Sequence, residues 1–398
     1  MKSVVHFVRK STQLRASFIR NQIQYHVRYA PAVVYKQFSR QNDGGYAALD
    51  TAEGLPVLDL SQGATLVEKA LFKLAYCLSG RDTSRIVRFL GEQNATVLHF
   101  HYGSDAGMYA SVMRGADLPS VVSFYGYDCS SFPRMYCGYG GRFLRQNVFG
   151  PATRILAMSQ QMQDDLVSLG CPREKIVVHY FGTDIGRFAF PAREYPEPTG
   201  PVRLLILASF VPQKGHLILL RALRKLLSQG VTDFTLRLVG DGPLHAKLVR
   251  YVDEAGLAKH TDFTGAILYG SPEMASAYQE ADIFVHPSVT SRANEKEGIP
   301  GAIVEAMASG LPVLSTFHSG IPSIIHNEVS GLLVPEYDVT ALAEALSRMI
   351  ADRNLRERLG RRGREHAEQC LNIRHQEKAL EAIYDQLIDE GKRPIRDN

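Results

Sequence analysis

Two carboxylates and one lysine carry most of the chemistry this sequence offers. The segment EGIPGAIVEAMASG, Glu297 to Gly310, joins a glycine-bearing loop to a short apolar helix. Pro300 suits the first helical position and Gly310 the stop. A helix start has backbone N–H groups without intrahelical partners and the positive end of the macrodipole, so the N–H groups of Gly301 and Ala302 suit a diphosphate. Gly298 and Gly301 let that phosphate approach the backbone. Glu297 stands just before the helix and Glu305 lies on its second turn, so two acids can reach two different parts of one ligand. Acids beside a helix start also act as plain dipole stabilisers. The surrounding GIPG and the following ASGLPV favour the ligand reading.

Lys214 lies in SFVPQKGH, Ser209 to His216, between the apolar run RLLILA and a helix beginning near Leu217. An ammonium at the end of such a loop can sit on a phosphate and offset charge building on a leaving group. GDGP at Gly240–Pro243 and FTGA at Phe263–Ala266 are turns after strands. In the amino-terminal half, HFHYG places His99 and His101 on one face of a strand. A pair of histidines falls short of the three or four ligands of a zinc site, and no metal is expected. SFYGYD, Ser123 to Asp128, offers the Tyr125 hydroxyl as a hydrogen-bonding group, with Asp128 either an acceptor contact or a cap of the core.

The elements that must hold these residues read as α/β. Short apolar runs at Ser3–Val8, Val97–Phe100, Val121–Phe124, Arg154–Met158 and Ile176–Tyr180 alternate with helical stretches, as in a parallel sheet with crossover helices. PAREYPEPTGP, Pro191 to Pro201, suppresses helix and strand alike and reads as a linker. A second series follows at Arg203–Ala208, Thr235–Val239, a strand ending at Phe263, Ile283–His286, Val313–Ser315 and Gly331–Val334, and the rest is helical. The expected domains are 1–190, a linker at 191–201 and 202–373, with a helix from about 374–398 packing back on the first. Ligands of open parallel sheets bind at the carboxyl ends of strands, so the loops of the two Rossmann-like domains are expected to face each other across a cleft.

These motifs, in this order over most of residues 95–335, resemble the retaining glycosyltransferases of family 4, which have the GT-B fold and an E-x7-E motif matched by Glu297 and Glu305. The resemblance implies that Glu297 contacts the donor sugar, Glu305 the ribose hydroxyls, and Lys214 the diphosphate. It adds Ser209, Gly298, Ile299, Pro300 and Gly301 around the donor, and Gly265 and Ala266 against the base. His101, Tyr125 and Asp128 fall on the acceptor side. Two departures stand out: Ser209 occupies the place of the family's usual arginine, and Tyr125 that of its histidine. GTDIGRF at Gly182–Phe188 resembles the turn that closes the first domain. The wording, including SFIRNQI at Ser17–Ile23, is most similar to exopolysaccharide enzymes of the colanic acid and amylovoran type. Implied are a nucleotide-diphosphate sugar donor, a glycan or lipid-linked oligosaccharide acceptor, and no cofactor or metal. The alternatives are a nucleotide-sugar epimerase on the same fold and a non-catalytic nucleotide-sugar-binding protein.

At 398 residues, with 45% hydrophobic and 22% charged side chains, the chain has the makings of two globular domains. No apolar run approaches the ~18 residues of a membrane span. Five scattered cysteines without a C-x-x-C pair fit reduced thiols in a cytoplasmic protein. Net charge is only +4, yet eight cations from Lys2 to Arg40 precede the first acid, Asp43. That start reads either as a solvated basic face or as a surface for an anionic membrane or acceptor. The exposed arginines of the last helices are spaced for i,i+4 pairing and do not suggest nucleic acid.

Overall fold

The computed structural model describes residues 1–38, 54–188, 195 and 200–391. Its contacts divide the chain into two compact units, Met1–Gly182 with Ile373–Asn398, and Thr183–Asn372. The expected linker Pro191–Pro201 lies outside the described residues except for Tyr195, Gly200 and Pro201.

The first unit contains β1 (Lys2–Lys10), β2 (Tyr29–Gln37), β3 (Val57–Asp59), β4 (Ala95–His101), β5 (Ser120–Ser123), β6 (Arg154–Ala157) and β7 (Ile176–Val178). They form one sheet in the order β3-β2-β1-β4-β5-β6-β7, and every pair is parallel. Helices on both faces explain the near-continuous apolar strands. The sequence reading did not anticipate β2 and β3. Pro31 argues against an interior strand because it cannot donate to a ladder; here it pairs with Val4 on one side, and β3 begins its pairing only at Val33.

The chain returns to this unit through the helix Ile373–Gly391, whose Leu380, Tyr384 and Leu387 join the core formed with Val4, Tyr29, Val97, Val121 and Leu156. The return is tight at Gly182, with φ +71°, where a Cβ would lie 2.6 Å from the Cα of Ile373. Part of the basic start is neutralised by folding. Lys2 and Arg28 pair with Asp385, Arg28 also with Glu381, Arg9 with Asp105 and Lys36 with Asp82.

The second unit contains β8 (Val202–Leu207), β9 (Phe234–Val239), β10 (Thr261–Gly265), β11 (Ile283–His286), β12 (Val313–Thr316) and β13 (Leu332–Val334). Their order is β10-β9-β8-β11-β12-β13, again parallel throughout. The chain winds outward from β8 in one direction and from β11 in the other, so the topological switch lies between these two strands. In such sheets the loops at the carboxyl ends of the switch strands diverge and leave room for a ligand. Both folds are Rossmann-like, as the alternation of apolar runs implies.

Candidate active site

The loops that follow β8 and β11, the two switch strands, are pressed together. Gly215, with φ +71°, sits where a Cβ would lie 1.9 Å from the carbonyl oxygen of Pro287. The Val289 N–H donates to the Gln213 carbonyl at 2.9 Å. Lys214, between these contacts, is thereby brought to the β11 loop, where its Nζ forms an ion pair with Glu297 Oε1. The side chains of Lys214 and Glu297 keep 18% and 13% exposure, so a ligand can reach both.

Glu297 is held from every side. Its Oε2 accepts from the Ser288 hydroxyl and lies 3.4 Å from His286 Nε2. Its own backbone N–H donates to His318 Nε2 at 3.1 Å, and His318 Nδ1 is 2.7 Å from Glu336 Oε1. An imidazole that accepts at Nε2 while neutral carries its hydrogen on Nδ1, so the contact to Glu336 fixes both tautomer and ring. Glu336 in turn accepts from the Thr290 N–H at 2.6 Å. Burial alone would push the Glu297 carboxyl up, but the Lys214 ammonium and the His286 imidazole hold it well below the usual carboxylate range. Glu297 is therefore a fixed anion.

Glu305 is the opposite case. It lies on the helix Gly301–Ala308, is 4% exposed, and accepts from the Tyr278 hydroxyl at 2.7 Å. Burial pushes its carboxyl up to about 7, against the lowering by Tyr278. One acid is thus locked ionised and the other poised near neutrality, a separation that lets two carboxylates take different roles. The helix between them begins at Gly301, with Pro300 one place earlier than its expected position, just outside the helical turns. Gly298, Ile299 and Pro300 are buried, and the Gly298 carbonyl is backed by Gly320, whose N–H donates to it at 3.2 Å.

Ser209 is exposed directly after β8. Gly265, with φ +79°, ends β10; its carbonyl accepts from the Gly240 N–H at 2.8 Å, and Ala266 next to it is exposed. These residues, with Lys214, Glu297 and the start of the Gly301 helix, all follow carboxyl ends of strands in the second unit. The sequence reading missed His286, Ser288, His318, Glu336 and Tyr278. The first four stand at or after the ends of β11, β12 and β13, and that position was their only signal.

The first unit holds His101, Tyr125 and Asp128. His101 is fully buried and Tyr125 partly so, with His101 Nδ1 2.7 Å from the Tyr125 hydroxyl. Asp128 is 0% exposed and accepts from the N–H groups of Gly103, Tyr125 and Gly126 at 2.8, 3.0 and 3.0 Å. That geometry is the core-capping reading: the carboxylate spends its lone pairs on the loop that carries Tyr125. Burial raises its carboxyl to about 6 despite these donors.

Comparison with known proteins adds to this geometry. Residues 29–182 match the glycosyl transferase 4-like domain and residues 190–366 the group 1 glycosyl transferases. WcaL of Salmonella typhimurium, a glycosyltransferase assigned to colanic acid biosynthesis, is 34% identical over 282 residues, 70% of this chain and 67% of that protein. The chain belongs to this glycosyltransferase family. The Escherichia coli WcaL is 36% identical over 256 residues, 64% of this chain and 61% of its own length. AmsK of Erwinia amylovora, named for amylovoran biosynthesis, is 34% identical over 256 residues, 64% of this chain and 60% of that protein. The match thus spans about three fifths of the latter two relatives. Among solved structures, HepE of Anabaena in complex with UDP superposes with a TM-score of 0.77 at 19% identity, covering 97% of this chain and all of that one. Sucrose-phosphate synthase from Thermosynechococcus elongatus gives 0.74 at 17% identity, with 98% and 100% coverage. The fold they share with this chain is GT-B.

Proposed function

We propose that this chain is a retaining, family 4 glycosyltransferase that moves a sugar from a nucleotide-diphosphate sugar to a hydroxyl of a glycan or lipid-linked oligosaccharide in exopolysaccharide assembly. The observation that carries this reading is the Lys214–Glu297 ion pair at the switch between β8 and β11, beside the start of the Gly301 helix. A cation and free helix N–H groups suit a diphosphate, while a fixed carboxylate beside them suits the hydroxyls of the attached sugar. Family membership and the UDP bound to HepE point the same way.

In this reading the donor's diphosphate draws the Lys214 ammonium toward it, and Glu297 orients the sugar. Glu305 accepts from the ribose. The bond between the anomeric carbon and the diphosphate breaks as the acceptor oxygen bonds to the same face, and the acceptor's proton passes to the departing phosphate oxygen. Lys214 and the Gly301 and Ala302 N–H groups stabilise the charge that develops there, a contribution of about 3–4 kcal/mol for a well-placed donor. No metal is required, since cation and dipole supply the compensating charge.

The acceptor side rests on the first unit. Tyr125 offers a hydroxyl where the family usually has histidine. A cavity of about 710 Å³ is lined by Lys10, Lys36, Lys69 and Lys73 with Phe38 and Leu66; among the described residues no acid lines it, and Lys36 is paired with Asp82. Leu66 and Leu74, on the helix Leu66–Ala75 with Lys69 and Lys73, are 83% and 85% exposed. Apolar side chains beside lysines support peripheral contact with an anionic membrane carrying the acceptor. Among the described residues no helix is long and apolar enough to cross one. Phe72 and Tyr76 of the same stretch pack inward, with the Tyr76 hydroxyl donating to Asp105.

The test is the anomeric configuration of the product, followed by NMR with excess chelator present. Retention with undiminished turnover is expected. Inversion would remove the family 4 mechanism, and loss of turnover restored by a divalent cation would remove metal independence.

A further inference from the structure

The first unit buries a row of polar side chains that the proposed reaction does not use. His6 on β1 has its Nδ1 3.0 Å from His101 Nε2 on β4 and its Nε2 3.0 Å from His26 Nε2. Beyond His26, its Nδ1 lies 3.3 Å from Glu377 Oε2 on the returning helix. At the other end, His101 Nδ1 meets the Tyr125 hydroxyl at 2.7 Å, and that hydroxyl donates to Gln22 Oε1 at 3.2 Å. His6 and His101 are 0% exposed and Glu377 1%. Neither Glu377 oxygen, nor His26 Nδ1, has a hydrogen bond of good geometry.

The Tyr125–Gln22 contact supplies the starting point for ordering the hydrogens. The Tyr125 hydroxyl gives its hydrogen to Gln22, so it accepts from His101 Nδ1–H. A neutral His101 then accepts at Nε2, so His6 donates from Nδ1 and accepts at Nε2. His26 therefore donates from Nε2, and its Nδ1 presents a lone pair to Glu377. Two bare acceptors 3.3 Å apart in a dry core repel. One hydrogen between them removes the conflict without burying a charge. The reverse direction would place hydrogens on His101 Nε2, His6 Nε2 and His26 Nδ1, leaving Glu377 an ionised carboxylate with a single donor. It would also lie one helical turn from Glu381, whose charge is already answered by Arg28 and by the N–H groups of Val27 and Arg28.

We propose that Glu377 is held protonated and heads a one-way row of hydrogen bonds, Glu377 to His26 to His6 to His101 to Tyr125, that fixes Tyr125 as a hydroxyl whose hydrogen points outward from the row. Burial and the neighbouring Glu381 hold the Glu377 carboxyl well above the ordinary range, and burial holds His6, His26 and His101 below theirs. A side branch is compatible with the same direction. His99 lies between the Tyr384 hydroxyl and Ser123 Oγ, so it can accept from Tyr384 and donate to Ser123. The other groups facing the row are Tyr29, His179, Arg28 and Asp385. One ring nitrogen from each of His6, His99 and His101 also lies within 4.8 Å of the other two, a spacing compatible with a metal ion. Against that, every one of those nitrogens already has a hydrogen-bonding partner, and the His99 and His101 rings stack at 4.5 Å and 21°. Histidine lone pairs lie in the ring plane, so stacked rings do not converge on one ion. Glu377, His26, His6 and His101 are thus positioning residues for Tyr125. That consequence, unlike the row itself, rests on the acceptor-side reading of Tyr125.

The test uses the full-length chain with ¹⁵N-labelled histidine, resonances being assigned through His6→Asn and His101→Asn. The row requires hydrogen on Nδ1 of His6 and His101 and on Nε2 of His26, in neutral rings at pH 7. In parallel, the stability of Glu377→Gln relative to wild type is followed from pH 4 to pH 8. A protonated Glu377 costs the wild type stability as pH rises above the ordinary carboxylate range, so the variant's relative stability must climb with pH. The opposite tautomers would overturn the proposal. So would a relative stability that stays flat from pH 5 to pH 8 or falls with pH, either of which marks a Glu377 already ionised in the fold. So would one equivalent of zinc that copurifies with the chain and is lost in His6→Asn. If row and stability behave as stated while Tyr125→Phe leaves transfer unchanged, the row stands and the acceptor-side reading falls.

Discussion

Glu305 carries the most direct pH signature. Its carboxyl is raised to about 7 by burial, so it ionises within the range where the protein can be assayed. In the proposed reading Glu305 binds the ribose, and only its ionised form would accept from two ribose hydroxyls at full strength. The affinity for a nucleoside diphosphate should therefore rise between pH 6 and pH 8, and this dependence should vanish in Glu305→Gln, as calorimetry at several pH values would show. The stability sign is the reverse: a raised carboxyl stabilises fully below its unfolded value near 4.5 and loses that contribution as pH rises through about 7. Tyr278 donates to the charged form, so Tyr278→Phe should shift the affinity midpoint upward; an unchanged midpoint would disconnect it from Glu305. At this scale Lys214, Glu297 and Glu305 were legible because loop, glycines and helix start fall in one continuous stretch each. His286, His318 and Glu336 were not, because His286 and His318 reach Glu297 from separate strand ends and Glu336 acts only through His318.

The β8 and β11 loops meet through Gly215. Any side chain there strikes the Pro287 carbonyl and must also adopt a left-handed backbone. Gly215→Ala should lower stability by about 1–3 kcal/mol and displace Lys214 from Glu297. Denaturant unfolding checks the first, and loss of turnover beyond the loss of folded protein checks the second. The buried histidines of the first unit make a separate prediction. His26 and His179 are lowered to about 4 and His101 to about 3, with His6 and His99 also well below 6.5. Below pH 6.5 the unfolded chain takes up protons that these rings refuse, and each such ring costs about 1.4 kcal/mol per pH unit. The raised carboxyls of Glu377 and Asp128 oppose this but are fewer. Denaturation midpoints should fall from pH 6.5 toward pH 5; a flat profile would mean the rings are not buried neutral. Little in the amino-acid pattern announces these buried histidines. Val4–Val8, within Ser3–Val8, and Val97–Phe100 read as strands because only a single histidine interrupts each otherwise apolar run, whereas Pro31 disguised β2, and β3 has only Val57 and Leu58 before Asp59.

For the molecule as a whole, two parallel sheets could be read from two runs of alternating apolar segments. The helix expected from about residue 374 to pack back on the first domain is found as Ile373–Gly391, in the first unit. Leu380 and Tyr384, both 0% exposed, make that re-entry part of the first core. Leu380→Ala should cost about 2–5 kcal/mol, measurable by denaturant unfolding; a cost under about 0.5 kcal/mol, the level of ordinary surface changes, would detach the helix from the core. The central claim, a nucleotide-sugar transferase working through Lys214 and Glu297, is tested most directly by donor turnover. Purified protein would be offered a panel of nucleotide sugars, with and without membrane extract, beside Lys214→Ala and Glu297→Ala. The account predicts nucleoside diphosphate release from one donor, increased by the extract and reduced about 100-fold or more in each variant. Release that persists undiminished in both variants, binding without turnover even with extract, or isomerisation of free donor would contradict it.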